Sequence, residues 1–195
     1  MELPKIFNRF LAGSAESRTL GMEVYGDSVV AVSVSLSKSQ RPLLHGTYQE
    51  TFTAETMDEV LLKLINSSGC KNCRITLSQS YYQIMLVDSP DVPDDELSSA
   101  IKWKANEFTT QSLDELVIDA FRLPPDAYRG RMDMSYAAIA QKKTIKGFID
   151  IVEKSSAELE SICISEIALA RLFKWLPAFD EVDVAVIRLG KSNGA

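Results

Sequence analysis

Residues 19–36 alternate between apolar and polar side chains with a period of two, and the alternation breaks once, at Gly26-Asp27-Ser28. Such alternation is typical of a β-strand with one buried face, and the break is typical of a hairpin turn. We predict a β-hairpin in which Gly26 supplies the permissive backbone and Asp27 and Ser28 cap its free amides. A chain whose folded part begins in this way must build a sheet around the hairpin.

The elements that follow mix strands with helices. We predict a helix over residues 57–65 that is capped by Thr56 and ends near Gly69, and a second helix that starts at Pro93, whose missing N–H is dispensable in a first turn. Further strands are predicted at 42–53, 74–78, 81–88, 116–123, 132–140, 159–164 and 182–189, and further helices at 142–154 and 166–175. The fold class is therefore α/β, and residues 81–154 form a βαββα unit within it.

Composition excludes several classes of protein. The chain has 195 residues and a formal charge of −6, so the concentrated Lys/Arg surface that nucleic-acid binding needs is not expected. No stretch approaches the ~20 apolar residues of a membrane-spanning helix, and the start lacks the pattern of a secretory signal. Three cysteines cannot all pair, and Cys70 and Cys73 lie close together beside a strand-like segment, so a reducing compartment fits best and we predict a cytoplasmic protein.

Residues 1–18 form a separate segment with apolar side chains at helical spacing. We predict a short amphipathic arm that docks through Ile6, Phe7 and Phe10 on a partner or on a membrane surface. The alternative is an N-terminal helix that packs on its own domain.

Residues that suggest metal or catalytic chemistry have simpler interpretations. A structural zinc site needs four ligands, whereas Cys70 and Cys73 have only the distant His45 and Cys163 to join them, so no metal site is predicted. Paired acids such as Asp114-Glu115 are explained by helix starts and solvation, although this pair could also lie on the rim of a ligand site.

Two glycine-containing loops suggest a phosphate site. The hairpin loop, Gly26, Asp27 and Ser28, and a later loop that follows a strand, Gly190, Lys191 and Ser192, could face each other across a cleft and hold phosphates through backbone N–H groups. The later loop is not a P-loop, because Ala185 stands where that motif needs glycine. Phosphate binding by two loops that face each other across a cleft is typical of the actin, sugar kinase and Hsp70 superfamily.

Four collinear stretches resemble a known family. They are Gly21-Met-Glu-Val-Tyr-Gly-Asp-Ser-Val, Pro93-Asp-Asp-Glu-Leu, Ile118-Asp-Ala-Phe-Arg-Leu with Tyr136-Ala-Ala-Ile-Ala-Gln-Lys-Lys, and Ile164-Ser-Glu-Ile-Ala-Leu-Ala-Arg. Over residues 20–189 the chain resembles the PilM/MshI family of actin-like type IV pilus assembly proteins, with the MSHA pilus branch closer.

The resemblance implies a fold, a function and a partner. It implies the first half of an actin-like fold, split over 19–80 and 155–195, with 81–154 as an inserted subdomain and a second half after Ala195. It also implies a cytoplasmic scaffold, peripheral at the inner membrane, that binds the cytoplasmic tail of a PilN-like protein. We expect partner contacts on the inserted subdomain, with Trp103 and Phe108 as candidates.

Departures from the family concern its nucleotide site. The family's Asp of the first strand is Glu23, its loop Gly is Tyr25, its Lys after the loop is Val30, and the Asp of its second loop is Arg188. These changes imply that ATP hydrolysis is weak or absent, that no cofactor is required, and that any bound ATP would rest on loop amides. Two alternatives remain: the cytoplasmic part of a type II secretion protein of the GspL type, and an active ATP-dependent phosphotransferase of the same fold.

Overall fold

A computed structural model describes residues 18–36, 42–105, 111–124 and 133–173 as a mixed α/β protein. The elements are β1 (Thr19–Val24), β2 (Ser28–Leu36), β3 (Pro42–Thr51), α1 (Met57–Ser68), β4 (Asn72–Leu77), β5 (Tyr82–Asp88), α2 (Leu97–Lys104), a 3₁₀ helix (Leu113–Glu115), β6 (Leu116–Arg122), β7 (Met134–Gln141), α3 (Lys142–Glu153), β8 (Glu158–Ile164) and α4 (Ser165–Phe173). The predicted fold class is confirmed at this level.

The hairpin of β1 and β2 is part of a five-stranded sheet with the order β3-β2-β1-β4-β8. β1 and β3 both pair antiparallel with β2, whereas β4 pairs parallel with β1 and with β8. The carboxyl ends of β1, β4 and β8 therefore meet at one edge of the sheet. In open α/β sheets this is the edge where ligands bind.

One face of this sheet carries the first core. The alternate residues Leu20, Met22 and Val24 of β1 point into it and are at most 2% exposed, as the period-two pattern predicts. Helices α1 and α3 cover this face, and Phe148 of α3 packs edge-to-face on Tyr81 with ring centroids 5.4 Å apart. Helix α3 is thus anchored in the core of the five-stranded sheet.

A second, three-stranded sheet has the order β5-β7-β6, with both pairs antiparallel. Helix α2 covers one of its faces, where Leu97 and Ile101 pack against Val87, Ala120 and Ala137. The βαββα order of the sequence reading is present, although its last helix, α3, buries its apolar side in the first core. The domain boundaries at 81 and 154 stay a prediction.

Three local predictions need correction. Thr56 is the N-cap residue of α1 as predicted, but its hydroxyl accepts the N–H of Thr53 (2.9 Å) and caps no helical amide. Pro93 begins a turn, closed by the Glu96 N–H on its carbonyl (3.0 Å), and helix α2 begins only at Leu97. Gly26 does not have a positive φ, so the hairpin turn does not use the conformational freedom that was predicted for this glycine.

Gly69 behaves as predicted. It follows α1 as the C-cap residue with φ 64°, a left-handed conformation that glycine adopts without a steric penalty.

Several predicted features lie outside the described residues. These are Ile6, Phe7 and Phe10 of the arm, Phe108, the strand at 182–189 and the loop Gly190, Lys191 and Ser192. Within the described ranges, no helix has both the length and the hydropathy needed to cross a membrane.

Candidate functional site

The hairpin loop lies at the carboxyl edge of the five-stranded sheet. Gly26 and Asp27 are exposed and Ser28 is half-buried. The Ser28 hydroxyl donates to the Asp27 carboxylate (2.9 Å), and the Asp27 carbonyl accepts the N–H of Phe52 (2.9 Å). The predicted capping of loop amides by these two side chains is therefore wrong, because the side chains bond to each other.

Glu23, three residues before Gly26 of this loop, stands where the resemblance places the aspartate of the PilM/MshI family. One oxygen of its carboxylate accepts the Tyr25 phenol (2.8 Å), and the other accepts the Ser165 hydroxyl (2.8 Å). Ser165 Oγ is also 2.9 Å from the Leu77 carbonyl, so its single proton is shared between two acceptors. The ends of β1, β4 and α4 are thus joined by one hydrogen-bond network.

Neighbouring tyrosines extend this network. Tyr81 donates its hydroxyl to the Tyr25 carbonyl (2.7 Å), and Tyr82 donates to Glu166 Oε2 (2.5 Å). Burial, and after it the Glu166 carboxylate, raises the pKa of Tyr82 above its ordinary value. The Tyr82 phenol therefore stays protonated and keeps its role as a donor at neutral pH.

This network bears on whether a magnesium nucleotide fits the site. Mg²⁺ in such sites is held through one or two carboxylates, with water and phosphate completing its shell. Both oxygens of Glu23 already accept hydroxyl protons, and Tyr25 occupies the loop position of the family's glycine. In the part of the chain that the structure describes, no three Asp, Glu, His or Cys side chains group as a metal site. Glu23 is thus engaged in the hydrogen-bond network of this edge, and the expectation of weak or absent ATP hydrolysis stays a prediction.

Substitution of Ser165 by Ala tests the structural role of the network. Ser165 is 5% exposed, so its loss leaves Glu23 and the Leu77 carbonyl with one partner fewer in a shielded place. We expect the free energy of unfolding to fall by about 1–2 kcal/mol, measured by urea denaturation. Ser28→Ala is the control, because its hydrogen bond to Asp27 is exposed and its loss should cost less than about 0.5 kcal/mol. Equal effects of the two variants would contradict a buried network.

The raised pKa of Tyr82 predicts a pH dependence of stability. The folded state holds the phenol proton more tightly than the unfolded state, in which the pKa is about 10. The stabilisation is therefore complete below about pH 10 and is lost as the pH rises above that value. Tyr82→Phe, which removes this titration, should lose less stability than wild type as the pH rises from about 10 to 11. If the free energies of unfolding of wild type and Tyr82→Phe fall equally with pH, the raised pKa of Tyr82 is refuted.

A cavity of about 560 Å³ lies away from the hairpin, where β6 begins, β7 ends and α3 begins. It is lined by Gln111, Asp114, Glu115, Gln141, Lys142, Lys143 and Lys146. The antiparallel pairing of Leu116 with Gln141 brings together these two stretches, which are distant in sequence. The Asp114-Glu115 pair thus lines a cavity, and the alternative that it belongs to a ligand site stays a prediction.

The lysines of this cavity are unusual in their position. Lys142 and Lys143 begin α3, whose first turn has no acidic residue and whose N-cap makes no side-chain hydrogen bond. Cations are disfavoured at the positive end of a helix dipole, so this placement opposes helix stability. The ion pairs of the described residues are Arg74–Glu160 and Arg122–Asp94, and neither includes a cavity lysine. Sequence reasoning missed this cluster, although a helix that opens with two lysines was a readable signal.

A row of apolar side chains crosses the same three-stranded sheet. Leu86 and Phe121 lie on either side of Tyr136 in register, and the Phe121 and Tyr136 rings are 5.7 Å apart. These positions alternate with the residues that α2 covers, so the row lies on the other face of the sheet. Leu86 is 41% exposed.

Trp103, a predicted docking residue, is 78% exposed near the end of α2, two residues after the buried Ile101. It does not line the cavity. Its role in docking stays a prediction.

The cysteines and the histidine take no part in this site. Cys70 and Cys73 are buried in the first core, and burial raises the pKa of Cys73 to about 12, so its thiol is unreactive at neutral pH. Cys163 is half-buried beside Thr76. His45 lies on the edge strand β3 with Nε2 2.7 Å from Ser35 Oγ.

The chain matches no protein-family model and no curated protein. Solved structures that share its fold include a PilM–PilN type IV pilus biogenesis complex, with a TM-score of 0.64 and 17% identity over 82% of this chain and 51% of that one. They also include the cytoplasmic domain of EpsL, an inner-membrane component of the type II secretion system of Vibrio cholerae, with a TM-score of 0.54 and 10% identity over 76% and 57% of the two chains.

These similarities establish that the chain shares the fold of the PilM–PilN and EpsL structures. The predicted likeness to PilM is confirmed at the level of the fold. The chain spans about half the length of the structures it matches.

Proposed function

We propose that this chain belongs to a cytoplasmic, non-catalytic assembly component of a type IV pilus, of the MSHA type, that docks on the cytoplasmic tail of a PilN-like inner-membrane protein. The cavity at the start of α3 is the observation that carries the proposal. Its volume of about 560 Å³ suits several side chains of a bound segment. The fold shared with the PilM of a PilM–PilN complex supports a partner of that kind.

The charges of the cavity suggest which segment binds. Three lysines face two acidic residues, and the amino end of α3 adds a positive dipole. A tail that carries a carboxylate would complement this surface, and the row of Leu86, Tyr136 and Phe121 would give its apolar side chains a second contact on the same sheet. Docking here, at the inner membrane, is the proposed function.

The hydrogen bonds of Glu23 support the non-catalytic part of the proposal. The Tyr25 and Ser165 hydroxyls each bind one oxygen of the Glu23 carboxylate and hold it in the network at the sheet edge, which favours a structural role for this residue. We therefore propose that the chain needs no cofactor. An active ATP-dependent phosphotransferase is the competing function.

Isothermal calorimetry distinguishes the scaffold from the phosphotransferase. Titration of the 195-residue chain, and of the longest natural form that contains it, with Mg²⁺ and ATP is expected to give no saturable heat. A control titration of the same sample with the partner tail shows that the protein is competent to bind. Micromolar ATP binding that is lost in Asp27→Ala or Ser28→Ala would overturn the non-catalytic proposal.

Binding measurements with different cytoplasmic tails test whether the chain belongs to a pilus or to a type II secretion system. The likeness to EpsL makes a type II secretion protein of the GspL type the second candidate. Fluorescence anisotropy with labelled cytoplasmic tails of PilN-like and of type II secretion membrane proteins should show saturable binding of the PilN-like tail. If only a tail from a type II secretion protein binds, the chain is instead a component of a type II secretion system. If no tail binds and residues 1–18 carry the protein to liposomes, the role is peripheral membrane binding.

A further inference from the structure

The outer edge of the five-stranded sheet is formed by β3, Pro42–Thr51. β3 pairs with β2 on one side and with no described strand on the other. An unpaired edge presents a row of N–H and C=O groups to which a further strand can bind. At ten residues, β3 is longer than the five or six residues typical of strands, so the exposed row is long.

Protection of this edge is weak. Proteins protect edge strands with lysine, proline, bulges or short strands. β3 has Pro42 at its first residue and a register shift opposite Ser33 and Val34, but its pairing from Gly46 to Thr51 is uninterrupted. Residues 42–49 include no Asp, Glu, Lys or Arg. Most of the strand can therefore accept a partner without burying a charge.

Exposed apolar side chains flank the edge on both faces. Leu43 and Leu44 are 51% and 63% exposed. They lie opposite Ser35 and Val34 of β2, so they point to opposite faces of the sheet. A strand added at this edge would shield both leucines.

We propose that β3 pairs antiparallel with β3 of a second copy of this chain, so that two five-stranded sheets join across a two-fold axis. Glu50 is the charged residue of β3, and antiparallel pairing sends the two Glu50 side chains to opposite ends of the ladder. Each copy carries a formal charge of −6, so the electrostatic repulsion between two copies is smallest where the contact surface is uncharged.

The geometry of the strand also suits self-pairing. Tyr48 lies opposite Ala31, on the same face as Leu43, so that Leu43 of each copy can contact Tyr48 of the other. Because the same patch serves both copies, the contact closes at a dimer and does not extend into a filament.

Sedimentation velocity of the full 195-residue chain over a concentration series tests the proposal. We expect a reversible monomer–dimer equilibrium and, in Leu44→Lys, a dimer dissociation constant raised by about tenfold or more. Leu43→Lys, on the other face, should have the same effect, and circular dichroism checks that both variants fold. Leu172→Lys is the matched control, because Leu172 is a 53% exposed leucine of α4, and should leave the equilibrium unchanged.

Hydrogen exchange on the same samples locates the contact. Amides of residues 43–51 should gain protection as the concentration rises. A monomer at every concentration, or a dimer that neither lysine variant weakens, would overturn the proposal. Protection of β3 that is equally strong in the monomer would also overturn it, because a segment of the same chain would then cover the edge. None of these outcomes depends on binding of the partner tail.

Discussion

Truncation of Phe148 to Ala is expected to lower the free energy of unfolding by about 3–5 kcal/mol. Phe148 is 1% exposed and packs edge-to-face on Tyr81, so its loss opens a cavity between α3 and the five-stranded sheet. It also loosens the amino end of α3, where the cavity lysines lie. Urea denaturation followed by circular dichroism measures the effect.

Trp103→Ala is the matched control for this prediction. It also removes a large aromatic ring, but the ring is 78% exposed, so the stability cost should stay below about 0.5–1 kcal/mol. Equal costs for the two variants would show that α3 is not anchored by Phe148. The control also separates the proposed docking role of Trp103 from any role in folding.

Reversal of two charges in the cavity, Lys142→Glu with Lys143→Glu, should weaken binding of the partner tail by about 30-fold, or about 2 kcal/mol. Each reversal replaces an attraction with a repulsion near the bound carboxylate. The same changes place two acidic residues at the positive end of α3, a gain that offsets their repulsion from Asp114 and Glu115, so stability should change by less than about 1 kcal/mol. Loss of binding without loss of stability is therefore the expected signature, measured by anisotropy and urea denaturation.

Lys63→Glu is the control for charge reversal. Lys63 is an exposed lysine of α1 that does not line the cavity. It should change the tail affinity by less than about twofold at physiological salt. A similar loss in Lys63→Glu and in the double variant would indicate non-specific attraction of the tail to the whole surface.

The sheet elements could be predicted because they depend on local patterns. The alternation through Leu20, Met22 and Val24 gave the buried face of β1, and Gly69 marked the end of α1. The pairing order could not be derived from periodicity alone, since the parallel contacts of β4 with β1 and β8 join segments far apart in sequence. That part of the architecture was implied by the family resemblance.

The errors have a common physical cause. Thr56, Pro93 and Asp27 were assigned the helix or turn role typical of their residue type, but each has a competing neighbour. Thr56 accepts the N–H of Thr53, Pro93 closes a separate turn, and Asp27 binds Ser28. Local propensity does not rank such alternatives, because their free energies differ by about 1 kcal/mol or less.

The candidate site was harder to predict than the fold. The Glu23 network joins residues 142 positions apart, Glu23 and Ser165, and the cavity joins the stretches around 114 and 142. The antiparallel pairing of β6 and β7 does place the residues before β6 beside those after β7, and both strands were predicted. That step, together with the two lysines at the start of α3, would have located the cavity from the sequence.

The most direct test of the docking function is hydrogen exchange of the full chain with and without the cytoplasmic tail of the PilN-like protein. We expect the tail to increase amide protection over residues 111–117 and 141–146, around the cavity, and to leave the hairpin loop at Gly26 unchanged. Protection confined to the hairpin loop, or no protection at a saturating tail concentration, would contradict the docking function.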